Sequence, residues 1–138
     1  MKLRDCHNIG DFRALAERRL PWPVFDYIDG AADDEITKAR NTSAFDDVDL
    51  VPDVLAGVGD IDTSCAIMGR RSALPLMLSP TALQRAFHRD GERAVALAAE
   101  KFGVWFGISS LATHSIEEIA ALTGGPKLFQ LYVHKDKG

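Results

Sequence analysis

Residues 74–133, LPLMLSPTALQRAFHRDGERAVALAAEKFGVWFGISSLATHSIEEIAALTGGPKLFQLYV, hold three short apolar runs separated by two segments of helical spacing. The runs are LPLMLSP (74–80), VWFGISS (104–110) and KLFQLYV (127–133). Their apolarity is continuous rather than alternating, which marks strands buried on both faces of a parallel sheet. Between them, ERAVALAAEKFG and SIEEIAALTGG carry apolar residues three and four apart, the period of a helix with one buried face. Gly103 closes the first of these helices. Ser115 and Glu118 form a capping box for the second, and Gly124, Gly125 and Pro126 end it. The order strand–helix–strand–helix–strand predicts an α/β fold: the N-terminal portion of a (β/α)8 barrel, about three strands, or the start of a doubly wound sheet. A barrel takes roughly 200 residues or more, and the run at 127–133 would be an exposed apolar sheet edge. The chain is therefore expected to be an incomplete portion of the fold.

Upstream of residue 73 the pattern is different. Ile9, Phe12, Leu15, Ala16 and Leu20 give one helix face. PWPVFDYIDGAADDE begins a second short helix, with Pro21 and Pro23 at its start and Gly30 at its stop. DDEITKARNTSAF predicts a third, acidic at its start and basic later, which suits the helix dipole. The stretch from Val48 to Leu74, with a turn signal at Gly69, reads as a hairpin or as irregular chain. Two regions are expected: 1–72, a helical segment and hairpin, and 73–138, the first βαβαβ units.

Bulk properties narrow the function. The 138 residues are 46% hydrophobic with net charge -4, enough to build a core and with no basic stripe to neutralise nucleic acid phosphates. The charged opening MKLRDCHNIGDFRALAERR is neither a signal peptide nor an anchor, and no stretch approaches the ~18 apolar residues of a spanning helix. Cys6 and Cys65 lack CxxC spacing, so reduced thiols, a cytoplasmic setting and no metal site are expected.

In a (β/α)8 barrel, chemistry sits at the C-terminal ends of the strands. Here those ends are Ser79-Pro80-Thr81-Ala82, Ser109-Ser110, and Gln130 with Tyr132. Gln130 and Tyr132 are two apart and would share one strand face. Buried and unpaired, each would cost about 1–3 kcal/mol, so they contact a ligand, a neighbouring backbone or solvent. Tyr27 lies on the apolar face of a short helix and reads as core. None of His7, His88, His114 and His134 stands beside a Ser or Cys as a base would, and residues 88–92, HRDGE, read as a turn into a helix.

Four segments, VFDYIDGAADDE, LPLMLSPTALQRAFHRDGE, FGISSLATHSIEEIA and KLFQLYVHKDKG, together resemble the FMN-dependent L-2-hydroxy acid dehydrogenase and oxidase family, which includes glycolate oxidase, L-lactate dehydrogenases and mandelate dehydrogenase. The resemblance covers essentially the whole chain in the family's order. It implies that FMN is the cofactor, with Pro80, Thr81 and Ala82 against the flavin near N5, Ser109 hydrogen-bonded to the ring and Gln130 at its pyrimidine end. It implies that Tyr27 and Tyr132 bind the substrate, which overrides the core reading of Tyr27. Leu111 stands where glycolate oxidase has a bulky aromatic and some lactate dehydrogenases of the family have Leu, which implies a small substrate such as L-lactate. The reaction implied is oxidation of an L-2-hydroxy acid to the 2-oxo acid. Its His base, Arg clamp, Lys near N1 and phosphate site belong to the barrel's second half, so no catalytic residue is assigned and the chain alone is expected to be inactive. Two other readings stay open: a non-catalytic remnant or interaction fragment, and another FMN-binding barrel such as the flavin-dependent isopentenyl diphosphate isomerase. The resemblance leaves the electron acceptor open among oxygen, a quinone and a cytochrome. It implies a homo-oligomer when the barrel is complete, and allows a peripheral position on the inner face of the plasma membrane.

Overall fold

The computed structural model describes residues 2–135, and its first α-helix begins at a capping residue that the sequence supplies. In α1 (Ile9–Arg19) the Asn8 side chain accepts the Asp11 N–H at 2.9 Å, satisfying one of the orphan donors of the first turn. α2 (Trp22–Asp29) carries Pro23 in its first turn, where no helical N–H is needed, and stops at Gly30. α3 (Ile36–Ser43) follows a turn in which Asp33 and Glu35 take positive φ. These helices belong to the first of two compact units, which ends at Gly59. Leu15 is buried there, and Arg13 of α1 forks onto Asp29 of α2, with Nη2 to Oδ2 at 2.7 Å. The Arg13 hydrogen bond holds the Asp29 carboxyl below its ordinary range. As the guanidinium is solvated, the pair adds little to stability. Tyr27 lies on α2 and is 56% exposed, so it is not a core residue. Beyond α3 the chain is irregular, and Val48, Leu50, Val51, Val54, Leu55 and Val58 are exposed.

The second unit begins at Asp60. β1 (Cys65–Ile67) and β2 (Arg70–Ser72) form an antiparallel hairpin about Met68 and Gly69, both at positive φ, the geometry that matches the twist of paired strands. The hairpin is tied to the strands that follow: Ala73 N–H donates to Gly103 O at 2.9 Å, and Thr63 Oγ1 donates to Ala73 O. The compact units accordingly divide between Gly59 and Asp60, earlier than the change of sequence rhythm at residue 73.

β3 (Met77–Leu78), β4 (Trp105–Ile108) and β5 (Lys127–Phe129) form a parallel sheet in the order β3–β4–β5. Leu78 lies opposite Phe106, and Ile108 opposite Phe129. The crossovers are α4 (Gly91–Phe102) and α5 (Ile116–Leu122). Ala96 and Ala99 of α4, Ile119 of α5, and Val104, Phe106 and Ile108 at and along β4 form one buried cluster. Small alanines let α4 approach the sheet, while fully burying Phe106, Ile108 and Ile119 contributes about 1.5–3 kcal/mol each. All four residues of β4 are buried, so this strand is covered on both faces, as its continuous apolarity predicts. Gly103 takes φ 64 at the end of α4, and Ser115 and Glu118 make the reciprocal capping box at 3.1 and 2.8 Å.

Two expectations about the strands are corrected. The first apolar run pairs only at Met77 and Leu78. The third does not continue as a buried strand to residue 133: β5 ends at Phe129, and Leu131, Tyr132 and Val133 are exposed. Gln130 N–H adds one rung to Ile108 O at 2.8 Å. On its other edge β5 has no strand partner among the described residues.

Candidate functional site at the strand rim

The C-terminal ends of the three parallel strands carry Ser79 to Ala82, Ser109 to Leu111, and Gln130. What brings the first two together is Gly107. A Cβ on that residue would lie 2.7 Å from Pro80 Cδ, 2.8 Å from Pro80 N and 3.0 Å from Leu78 O. Any side chain here would collide with backbone, so Gly107 lets the segment after β3 lie directly against β4. Leu83 N–H then donates to Leu111 O at 3.1 Å, and the Gln84 carboxamide donates to Thr81 O at 3.3 Å.

After β4, Ser109 is buried, and its Oγ accepts the Leu111 N–H at 3.1 Å, which leaves the hydroxyl proton to donate elsewhere. Gln130 Oε1 accepts from Ser110 N and Ser110 Oγ at 3.4 and 3.3 Å, leaving the carboxamide NH2 as a pair of donors. The rim thus combines small side chains, a proline face and neutral donors. That chemistry fits the edge of a flat, uncharged heteroaromatic ring rich in acceptors, as a flavin is. Pro80, Thr81, Ala82, Ser109 and Gln130, expected to hold a cofactor, all lie at this rim. Tyr132 does not lie on the strand face with Gln130; it sits beyond the end of β5 and is 55% exposed.

Reading the sequence missed the polar knot beneath the rim. Glu92, in the first turn of α4, is entirely buried. Its Oε1 accepts from Thr113 N at 2.8 Å and, more loosely, from Gln84 N at 3.4 Å. Its Oε2 accepts from Thr113 Oγ1 at 2.6 Å and pairs with His114 Nδ1 at 2.8 Å. Burial alone would raise this carboxyl, but the bonds from Thr113 and His114 outweigh it and hold the pKa at about 2. An ionised Glu92 requires the proton on His114 Nδ1. Glutamate in a first helical turn is ordinarily a solvated dipole partner, which is why HRDGE reads as nothing more than a turn. The one available signal is Gly91, whose φ of 44 packs the helix start against Arg85 and His114.

Among the described residues no group of three or more His, Cys, Asp and Glu side chains could hold a metal ion, and no helix is long and apolar enough to cross a membrane. Comparison with known proteins places the chain in a family. Residues 16–138 match the profile of a family described as FMN-dependent dehydrogenase. Glycolate oxidase of Spinacia oleracea is 40% identical over 130 residues, covering 94% of this chain and 35% of that protein. A putative L-lactate dehydrogenase of Mycobacterium tuberculosis is 41% identical over 134 residues, 94% of this chain and 32% of the relative. The crystal structure of mandelate oxidase with (S)-4-hydroxymandelic acid superposes with a TM-score of 0.85 at 41% identity, over 93% of this chain and 36% of the other. The three strands and two helices are therefore part of an α/β barrel, and the chain spans about a third of the length of the relatives it matches.

Proposed function

The chain belongs to the FMN-dependent dehydrogenase family, and on that premise we propose that it forms one flank of a flavin site serving the oxidation of an L-2-hydroxy acid, L-lactate, to its 2-oxo acid. The observation that carries this reading is the rim itself: Gly107 admits Pro80 against β4, while Ser109 and Gln130 keep neutral donors beside it. Pro80, Thr81 and Ala82 would lie along the ring near its N5, Ser109 would donate to a ring acceptor, and the Gln130 NH2 would meet the pyrimidine end. When bound, FMN supplies the two-electron acceptor for the hydrogen that leaves the 2-carbon of the hydroxy acid. Tyr27 and Tyr132 would bind the substrate.

Support for lactate comes from Leu111, an aliphatic side chain half exposed on the β4 rim loop, which leaves room for a methyl group where a bulkier residue would suit a smaller acid. The relatives act, by name, on glycolate, lactate and mandelate at nearly equal identity, so sequence similarity does not choose between them. Turnover needs a chain of the relatives' length. His114 is tied to Glu92 and His88 lies beside Asp90 on the surface, so neither serves as the base, and the 138 residues alone turn over no hydroxy acid. The working protein is a cytoplasmic homo-oligomer, free or peripheral on the inner membrane face, and its electron acceptor is oxygen, a quinone or a cytochrome.

The test is quenching of flavin fluorescence by the chain. Because its proposed contacts are with the ring, FMN and lumiflavin should bind weakly and with similar affinity, and Gln130→Ala should weaken both several-fold. Failure of either flavin to give saturable quenching would refute the flavin site; tight, stoichiometric FMN on the purified chain would refute its dependence on further residues. For the substrate, a chimera joining this sequence to the rest of a relative's barrel should prefer lactate over glycolate and mandelate; a preference for either of the others would overturn that assignment.

A further inference from the structure

We propose that Glu92 is a positioning residue for the flavin rim: its carboxylate latches the loop after β3 to the loop after β4 and so fixes Pro80, Thr81 and Ala82 relative to Ser109, Ser110 and Leu111. The inference rests on the flavin reading of the rim given above. Glu92 is 0% exposed, so it touches neither solvent nor a ligand at the rim, and it acts through its partners.

Those partners come from two separate loops. Thr113 and His114 lie between β4 and α5, and Gln84 lies in the short 3-10 turn between β3 and α4. From each partner a short path leads to the rim. Gln84 donates through its carboxamide to Thr81 O, in the segment set against the ring. One residue before Thr113, Ala112 N–H donates to Ser109 O at 3.1 Å. Leu83 N–H closes the frame on Leu111 O. The backbone is shaped around the carboxylate. Gly91 holds φ 44, and a Cβ there would lie 2.7 Å from Arg85 Cγ and 3.4 Å from His114 Cε1, so the helix start that delivers Glu92 is pressed against both loops.

An apolar side chain of similar volume would stabilise a buried position as well or better, because a buried charge must recover a large desolvation cost. What a carboxylate adds is direction. It demands donors at fixed places, and here those donors belong to the two loops that bear the rim. Misplacing a positioned group by about 1 Å is enough to cost on the order of a hundredfold in rate.

The experiment uses the 138-residue chain and three variants: Glu92→Gln, Thr113→Val, which deletes only the hydroxyl donor, and Ile119→Val, a core change on α5 that contributes nothing to the latch. Amide hydrogen exchange is read at Gln84, Thr113, Phe106 and Ile108, and lumiflavin affinity by fluorescence quenching. Glu92→Gln should lose protection at Gln84 and Thr113 while Phe106 and Ile108 keep theirs, and lumiflavin should bind about tenfold more weakly. Thr113→Val should show the same pattern more mildly, and Ile119→Val should leave lumiflavin affinity unchanged. Wild-type affinity in both latch variants, or an equal loss in Ile119→Val, would overturn the positioning role. If the unaltered chain binds no lumiflavin, the flavin reading falls and exchange alone decides the latch. Selective loss of protection at Gln84 and Thr113 would then uphold it, and unchanged protection would overturn it. Should Glu92→Gln fail to fold, Thr113→Val decides by the same two readouts.

Discussion

Replacing Glu92 by Gln should destabilise the second unit by an amount that shrinks as the solution is made acidic. The reasoning uses the pKa held at about 2 in the folded chain against an ordinary value of 4.5. Because the folded value is depressed, unfolding at neutral pH releases a carboxylate that has lost its donors. The stabilisation is fully present above pH 4.5 and is lost as pH falls toward the folded value. Integrated over that window it is about 3 kcal/mol at pH 5 and above, and about 1.5 kcal/mol near pH 3. A protonated Glu92 and a glutamine present nearly the same groups to Thr113 and His114, so the gap between the two proteins should narrow by roughly 2 kcal/mol between pH ~5 and ~3. The exposed acids, Asp29, Glu35 and Glu118 among them, are common to both proteins and cancel in the difference. Urea unfolding of both chains at several pH values, followed by Trp105 fluorescence, measures the gap directly. A gap that stays constant across that range would refute the claim that Glu92 is a buried ionised carboxylate held by its donors. A gap that grows on acidification would refute the sign.

Other substitutions test the frame around it. Gly107→Ala should cost about 1–3 kcal/mol, since its Cβ would meet Pro80 and Leu78 backbone that cannot swing aside; a urea midpoint within error of wild type would contradict the close approach. Ser115→Ala removes the cap accepting Glu118 N–H and should cost about 1 kcal/mol by the same assay, with no change in lumiflavin binding. Arg13→Ala, which breaks the exposed pair with Asp29, should barely shift stability. A larger loss on thermal melting would mean that the guanidinium stem packs more than its exposure suggests.

Much of the architecture was legible because it depends on local rules. Continuous apolarity at 104–110, helical spacing at 92–102 and the Ser115–Glu118 box each report a nearest-neighbour preference, and each matches its element. Strand lengths were less legible, since pairing requires a partner: the run at 127–133 is largely apolar, yet only Lys127 to Phe129 meet β4 in strand register. Tyr27 shows the same limit, being apolar in pattern but exposed in place.

At the rim the division is sharper. Position along the chain was enough to nominate Pro80, Thr81, Ala82, Ser109 and Gln130, because parallel strands present their C-terminal ends on one side. Gly107 and Glu92 could not be nominated that way. A glycine in an apolar run and a glutamate in a first helical turn are both ordinary in sequence. Their roles exist only when β3 lies on β4 and the two following loops converge on one carboxylate. The sequence by itself determined where the helices fall and the order of the strands, since those follow from periodicity and capping within a few residues. Only the tertiary structure decided what holds the rim in place, because a buried charge is defined by donors that come from distant parts of the chain.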